Sequence, residues 1–373
     1  MAITQPCYCT REDVKGALDF KETARINPVL DRGLQSAARN IDKQLHRRFF
    51  PQDQVKFFDW PNSQYAYPWR LWLDRQDLIV ATSVQSPAGT AIPLNQVFAE
   101  PVNDGPPFTY LELDRSTVAA WGNAATPQHS IVVAGTWGYS AETESAGTLA
   151  AAVSSTSATT ITVSDSSLIG VGDLLVLDYA LGAAPYPSAT GTAGALQPIT
   201  GERVLVTGRA MAATSAGFTG PATASAADNV LAVSDGTLFG IGEVIQLDSE
   251  RMQIADITGN NLILRRAWDG TILAAHTSGI IYAARQLTVA RGQLGTTAAA
   301  HTQGAAISRH RPPSLIRDLA IAETLNRVLE ETSGYAAVAG EGDATRGPSG
   351  AGLADMWDEA MTAYGRKNRT RVI

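Results

Sequence analysis

Residues 163–178 have the sequence VSDSSLIGVGDLLVLD, and residues 233–248 have the sequence VSDGTLFGIGEVIQLD. The two segments align without a gap and share a Val-Ser-Asp opening, two glycines one residue apart and a closing Leu-Asp. Glycines at this spacing favour a tight turn, and the Val, Leu and Ile that follow favour a half-buried strand. The repeat therefore predicts strand-and-turn units.

A second repeat lies further along the chain, where residues 266–279 (RAWDGTILAAHTSG) match residues 291–304 (RGQLGTTAAAHTQG). The surrounding sequence is rich in Ala, Thr, Ser and Gly, and no lysine occurs between Lys56 and Lys367. We therefore predict that residues 141–310 form a β-rich inserted domain, or two small related domains.

His276 and His301 occupy equivalent places in this second repeat. Paired histidines can bind a metal, but a histidine that recurs between Ala-Ala and Thr in each unit favours a hydrogen bond to a turn. Cys7 and Cys9 are too few for a four-ligand metal site or a disulfide framework. We predict no metal, no cofactor and no catalytic residue.

The segments that flank the repeats indicate helices. Thr10 and Asp13 form an N-cap signal, and a second helix is predicted from Asn27, the expected cap, and Pro28, with Pro51 as its stop. Between residues 55 and 133, short strand-like runs separated by Pro and Gly predict a compact antiparallel sheet region with a well-filled core. A further helix is predicted from Pro313.

The C-terminal region has an apolar stripe at helical spacing after a Gly-rich stretch, residues 336–352, which we expect to be a flexible tether. An amphipathic helix held on such a tether must bury its apolar face, either on its own domain or in the groove of a partner. We favour the partner. The predicted docking residues of this helix and its basic tail are Leu353, Met356, Trp357, Met361, Tyr364, Arg366, Lys367, Arg369 and Arg371.

Composition limits the class of function. The 373 residues carry a formal charge of −7, which argues against a protein that binds nucleic acid by coating its phosphates. The N-terminus shows no signal-peptide pattern, and the uncharged runs contain too much Gly, Pro, Ala and Ser for a membrane span. We expect a protein that is made in a cytoplasm and has no membrane contact.

Several short segments together resemble the head–tail connector (adaptor) proteins of long-tailed bacteriophages. These segments are Thr10-Arg11-Glu12-Asp13-Val14-Lys15, Leu45-His46-Arg47-Arg48-Phe49-Phe50-Pro51, Phe58-Asp59-Trp60-Pro61 and Gly135-Thr136-Trp137-Gly138-Tyr139. The resemblance covers about residues 1–140 and 311–335 and is moderately specific as a set. The stretch 141–310 has no counterpart in the minimal family pattern.

The resemblance implies a virion protein of the head–tail neck, in a homo-oligomeric ring that is usually dodecameric. Such a ring lies beneath the portal protein, continues the DNA channel without sequence-specific binding, and meets a tail-side neck or tail terminator protein. We expect Arg39, Arg47 and Arg48 to lie on a surface of the ring. Nothing is catalysed in this role, so the protein is not expected to be an enzyme.

The expected fold class is α+β, a helical connector core with a small antiparallel β part, interrupted by an inserted all-β repeat domain. The expected boundaries are 1–140 for the connector core, 141–310 for the insertion, 311–335 for a core-closing helix, 336–352 for the tether, and 353–373 for the last helix and tail. The alternative function is a virion adhesin or carbohydrate-binding protein that acts through the β insertion.

Overall fold

The computed structural model describes residues 3–18, 26–61, 67–123, 125–181, 199–220, 222–223, 225, 227–277, 279–332 and 350–366. The predicted fold class is wrong. Strands account for 38% of the chain and helices for 22%, and the strands form large antiparallel sheets. The helix bundle with a small β part, which the resemblance implied, is therefore not the organising core of this protein.

The described helices are α1 (Arg11–Leu18), α2 (Asn27–Leu45), α3 (Ser314–Thr332) and α4 (Gly350–Tyr364). The Thr10 signal is confirmed, because Asp13 N donates to Thr10 Oγ1 at 3.0 Å and Thr10 N donates to Asp13 Oδ2 at 2.9 Å. Asn27 is wrong as a cap, since it is the first residue of α2 and no side chain caps that end. No helix in the described ranges is both long and apolar enough to span a membrane.

The physical reason for the wrong fold class lies in how the helices are buried. Their apolar side chains share one core with residues of the repeat region, namely Val171, Leu174 and Leu205. The helices thus pack on one another in a core that these three β-region residues close on one side, while three separate β cores hold most of the buried apolar residues of the chain. Sequence periodicity identified the apolar stripes but not what they pack against.

The first β region forms two antiparallel sheets with strand orders β1-β7-β3-β4 and β2-β6-β5. Their shared core includes Trp60, Leu71 and Trp137, which confirms the predicted compact sheet region. The strands are β1 (Gln52–Phe58), β2 (Arg70–Trp72), β3 (Leu78–Gln85), β4 (Ala91–Ile92), β5 (Val97–Glu100), β6 (Tyr110–Leu113) and β7 (Ile131–Trp137).

The second β region is one long antiparallel sheet with the order β12-β15-β14-β13-β16-β11-β10-β17-β8, to which β9 adds by pairing with β16. Its strands are β8 (Thr143–Thr148), β9 (Thr160–Thr162), β10 (Leu174–Leu181), β11 (Ile199–Gly217), β12 (Val230–Ala232), β13 (Val244–Leu247), β14 (Glu250–Thr258), β15 (Asn261–Trp268), β16 (Ile280–Ala290) and β17 (Ala306–His310).

This region contains two copies of one strand pattern, which we name unit A and unit B. Unit A has the pairing order β8-β17-β10-β11-β16-β9, and unit B has the order β11-β16-β13-β14-β15-β12. The long strands β11 and β16 belong to both units, and a register shift between Ala210 and Ala212 separates the two halves of their pairing. Each unit has its own apolar core. Unit B is thus a copy of the fold inserted within unit A, which accounts for both sequence repeats.

Candidate functional site

A basic cleft lies between the end of α2, the strands β1 and β7 and the end of α4. Seven arginine and lysine side chains line it, together with His46 and two aspartates. The cations are Arg39, Lys43, Arg47, Arg48, Lys56, Arg75 and Arg366, and the aspartates are Asp42 and Asp77. Such an excess of cations attracts carboxylates or phosphates, although the chain as a whole is acidic.

Asp77 organises the inner wall of this cleft. Its buried carboxylate lies 2.7 Å from Arg366 Nη2 and 3.6 Å from Arg47 Nε. The Arg47 guanidinium also lies 5.2 Å from the centre of the Tyr139 ring. These contacts hold two cations in place before any ligand arrives. An anion that binds there finds a preorganised surface, which reduces the entropic cost of binding.

Lys56 lies on the floor of the cleft, where its ammonium group is 4.7 Å from the centre of the Trp137 ring and donates to Gln76. Burial, followed by repulsion from Arg48, lowers the pKa of Lys56 from 10.5 to about 8. Burial also lowers the pKa of Arg366. The cations therefore lie close enough for one to disfavour the charge of another, a cost that a bound anion would relieve.

The outer wall is more open. Lys43, Arg48 and Arg75 are exposed, so their charged groups are accessible to a partner. Arg39 differs, because Asp42 lies 3.3 Å from its guanidinium and the ring of Phe50 lies beneath it at 5.6 Å.

Three of the segments that carry the family resemblance meet beside this cleft. Tyr139 N donates to Arg48 O at 2.8 Å, which joins the segment after α2 to the end of β7. The ring of Phe58 lies 6.2 Å from that of Trp137, which joins the third segment to the same strand. Residues that are far apart in sequence therefore build one continuous surface.

The sequence predicted Arg39, Arg47 and Arg48 as surface residues, and all three line the cleft. It missed Lys43, Lys56, Arg75 and Asp77. For Lys43 a signal existed, since it follows Arg39 by four residues on α2 and so lies on the same helix face. The other three come from strands and turns that only the tertiary structure brings together.

The last helix, α4, packs on its own chain. Ala360 is fully buried, and Trp357 Nε1 donates to Glu323 Oε2 of α3 at 3.1 Å. The ring of Tyr364 lies 5.5 Å from that of Phe49. Leu353 and Met356 are partly buried in the same core, whereas Met361 is 45% exposed.

Docking of this helix into a partner stays a prediction, and within the chain most of its apolar stripe is already in contact. Of the predicted basic tail, Arg366 reaches the cleft. Lys367, Arg369 and Arg371 lie outside the described residues.

The two repeated histidines occupy equivalent buried networks. His276 lies between Asp248 and Glu250, with its Nδ1 2.8 Å and its Nε2 2.9 Å from the two carboxylates. His301 lies in the same way between Asp178 and Glu202, with Nε2 2.9 Å from Glu202. In unit B this agrees with the predicted bond to a turn, because Asp248 lies in the turn between β13 and β14, whereas in unit A the partner Asp178 lies within β10.

Each network is completed by an arginine. Arg266 forms a bidentate pair with Glu250, at 2.8 and 2.7 Å, and Arg291 forms the same pair with Glu202. Backbone amides of the following loop also donate to both glutamates, which fully satisfies the carboxylates. The glutamate oxygens thus hold the loop that follows each arginine in place, as expected for a structural network.

In the described ranges, no group of three or more His, Cys, Asp or Glu side chains is arranged to hold a metal ion. Cys7 and Cys9 are free thiols, and burial raises the pKa of Cys7 to about 12. A thiol with so high a pKa is a poor nucleophile near neutral pH. The basic cleft is therefore the best candidate for a functional site.

No family model, curated protein or solved structure matches this chain.

Proposed function

We propose that the protein is a structural virion component of a tailed bacteriophage, which forms a homo-oligomeric ring in the neck and joins the DNA-filled head to the tail. The observation that carries this proposal is the basic cleft, because it forms where three of the connector-like segments meet. Its partners in this role are neighbouring copies, the portal protein and a tail-side neck or tail terminator protein.

Charge complementarity supports assembly of the chain with itself. One surface of the subunit is the basic cleft, and another is the outer face of α4, where Asp355, Asp358 and Glu359 are exposed at a spacing of three and four residues. Two different surfaces that attract each other produce head-to-tail contacts, and these close into a ring when the rotation per subunit divides a full turn.

The overall charge supports a passive channel for DNA. A chain with a formal charge of −7 repels phosphates except at local basic patches. A ring of acidic subunits that keep their cations in contacts between subunits would let DNA slide and would not hold it. In this role DNA passes through the channel without sequence-specific binding, and the protein catalyses nothing.

The oligomeric state of charge-reversal variants tests the proposal. We expect rings in negative-stain images of the purified protein, and we expect the variant Lys43→Glu/Arg48→Glu to lose them. Arg265→Glu is the matched control, because Arg265 is exposed on β15 of unit B. Adding Asp358→Lys and Glu359→Lys to the first variant should restore the rings. A wild-type protein that stays monomeric, or rings that survive in the first variant, would contradict the proposed contact.

A further inference from the structure

Units A and B contain the same Gly-x-Gly turn, residues 170–172 in unit A and 240–242 in unit B. The second glycine of each turn donates its backbone N–H to the neighbouring strand, Gly172 to Val206 O at 2.9 Å and Gly242 to Ile254 O at 2.8 Å. The backbone carbonyl of the first glycine in each turn accepts a hydrogen bond from the backbone N–H three residues later, Asp173 in unit A and Glu243 in unit B. The two turns therefore present the same backbone atoms outward.

In unit A, the N-terminal segment of the chain covers this turn. Cys7 N donates to Gly172 O at 3.1 Å, and Arg11 N donates to Val171 O at 3.0 Å. Val171 N donates in turn to the Glu12 carboxylate at 2.7 Å. The Val171 side chain is fully buried in the core that α1 and α2 share with unit A. An irregular segment that leads into α1 thus satisfies both the polar and the apolar groups of the turn.

In unit B, the equivalent turn lacks such a cover. Ile241, which corresponds to Val171, is 59% exposed. Among the residues that the structure describes, no hydrogen bond is recorded for the backbone of Ile241 or for Gly242 O. Leu168 of unit A, which is also exposed, lies beside this turn, because Gly240 packs against Ser167. The result is a small apolar surface with backbone groups free to pair.

We propose that the Gly240–Gly242 turn of unit B is a docking site for a segment of a partner protein. The segment that covers unit A defines the chemistry of that partner: a short irregular stretch that leads into a helix, with backbone groups to pair with the turn, an apolar contact for Ile241, and a carboxylate in the first helical turn for Ile241 N. The chain's own segment, residues 7–14, is already used in unit A. We assign the occupant of unit B to another molecule.

A synthetic peptide provides the probe. A fluorescently labelled peptide of residues 3–18 is added to the full-length protein under reducing conditions, and binding is followed by anisotropy. We expect saturable binding to the wild type and at least a tenfold weaker binding to Ile241→Asp. Ile272→Asp is the matched control, since Ile272 is an 83% exposed residue of the same unit. A peptide with Gln in place of Glu12 should also bind more weakly.

Two outcomes would overturn the proposal. One is the absence of binding to the wild type at peptide concentrations up to about 1 mM, the limit of a weak specific complex. The other is equal binding to the wild type and Ile241→Asp, which would show that the peptide exchanges with the segment on unit A or binds elsewhere. Neither outcome bears on the ring, so this site and the proposed function fail independently.

Discussion

Val171 and Ile241 occupy the same position in two copies of one turn, yet Val171 is fully buried and Ile241 is 59% exposed. The difference lies in what covers each turn. Unit A receives the N-terminal segment and so anchors the helices, whereas unit B projects from unit A between the halves of β11 and β16. Of the two copies, unit A therefore packs against the rest of the chain at this turn, whereas unit B leaves the same turn exposed.

The buried networks around the two histidines should dominate the stability of units A and B. We expect Glu250→Gln to lower the free energy of unfolding by about 3 kcal/mol, because it leaves the buried cation Arg266 without its charged partner. Asp256→Asn, at an exposed site on the same strand, β14, should change it by less than about 0.5 kcal/mol. Urea unfolding measures both. Equal effects would show that the network is not a major source of stability.

The same glutamates predict how stability depends on pH. Burial raises the pKa of Glu202 and Glu250, but hydrogen bonds from arginine, backbone amides and histidine lower it by more. The net effect is a pKa lowered from 4.5 to about 2 for both glutamates. Between these values the unfolded chain binds more protons, so stability present above pH 4.5 is lost as the pH falls towards 2.

Unfolding free energies measured from pH 6 to 2.5 test this dependence. The double variant Glu202→Gln/Glu250→Gln should be less stable at pH 6 and should show a flatter decline on acidification. A decline as steep as that of the wild type would assign the acid sensitivity to other carboxyls.

The sequence predicted the local features of this fold better than their assembly. The Thr10 cap, the apolar stripe of α2 and the strand-and-turn character of the first repeat are local, and the structure confirms them. The second repeat is mostly loop, since residues 269–277 and 291–304 lie outside the named strands. The nesting of unit B within unit A was not predictable, because it depends on β11 and β16 each crossing two units. The same holds for the cleft, where Asp77 meets Arg47 and Arg366 only through tertiary packing.

Gly138 should be intolerant of any side chain. Its backbone has φ of 144°, a conformation that favours glycine, and an added Cβ would overlap Phe50 O. We expect Gly138→Ala to lower the free energy of unfolding by about 1–3 kcal/mol. Gly16→Ala is the control, since Gly16 lies within α1 with open space around it, and it should raise stability by about 0.5–1 kcal/mol. Thermal unfolding of both variants measures these changes. A Gly138→Ala protein as stable as the wild type would contradict the packing described.

Lys56 should respond to the charge in the basic cleft. Its pKa is about 8, and burial and then Arg48 are the main causes. We expect Arg48→Gln to raise this pKa, because one repelling cation is removed, and we expect inorganic phosphate to raise it in the wild type. Competitive acylation across pH 6 to 11, read by mass spectrometry, measures the pKa of each lysine. Lys15, which pairs with Asp269 and does not line the cleft, is the internal control. A Lys56 that titrates near 10.5 in the wild type would contradict the crowded cleft.

Joining of heads to tails is tested most directly by electron microscopy of particles from an infected host in which this gene is silenced. We expect DNA-filled or leaking heads beside free, complete tails, because the part that connects them is missing. Complete tailed particles that fail to adsorb to the host would contradict the joining role and would indicate an adhesin that acts through units A and B.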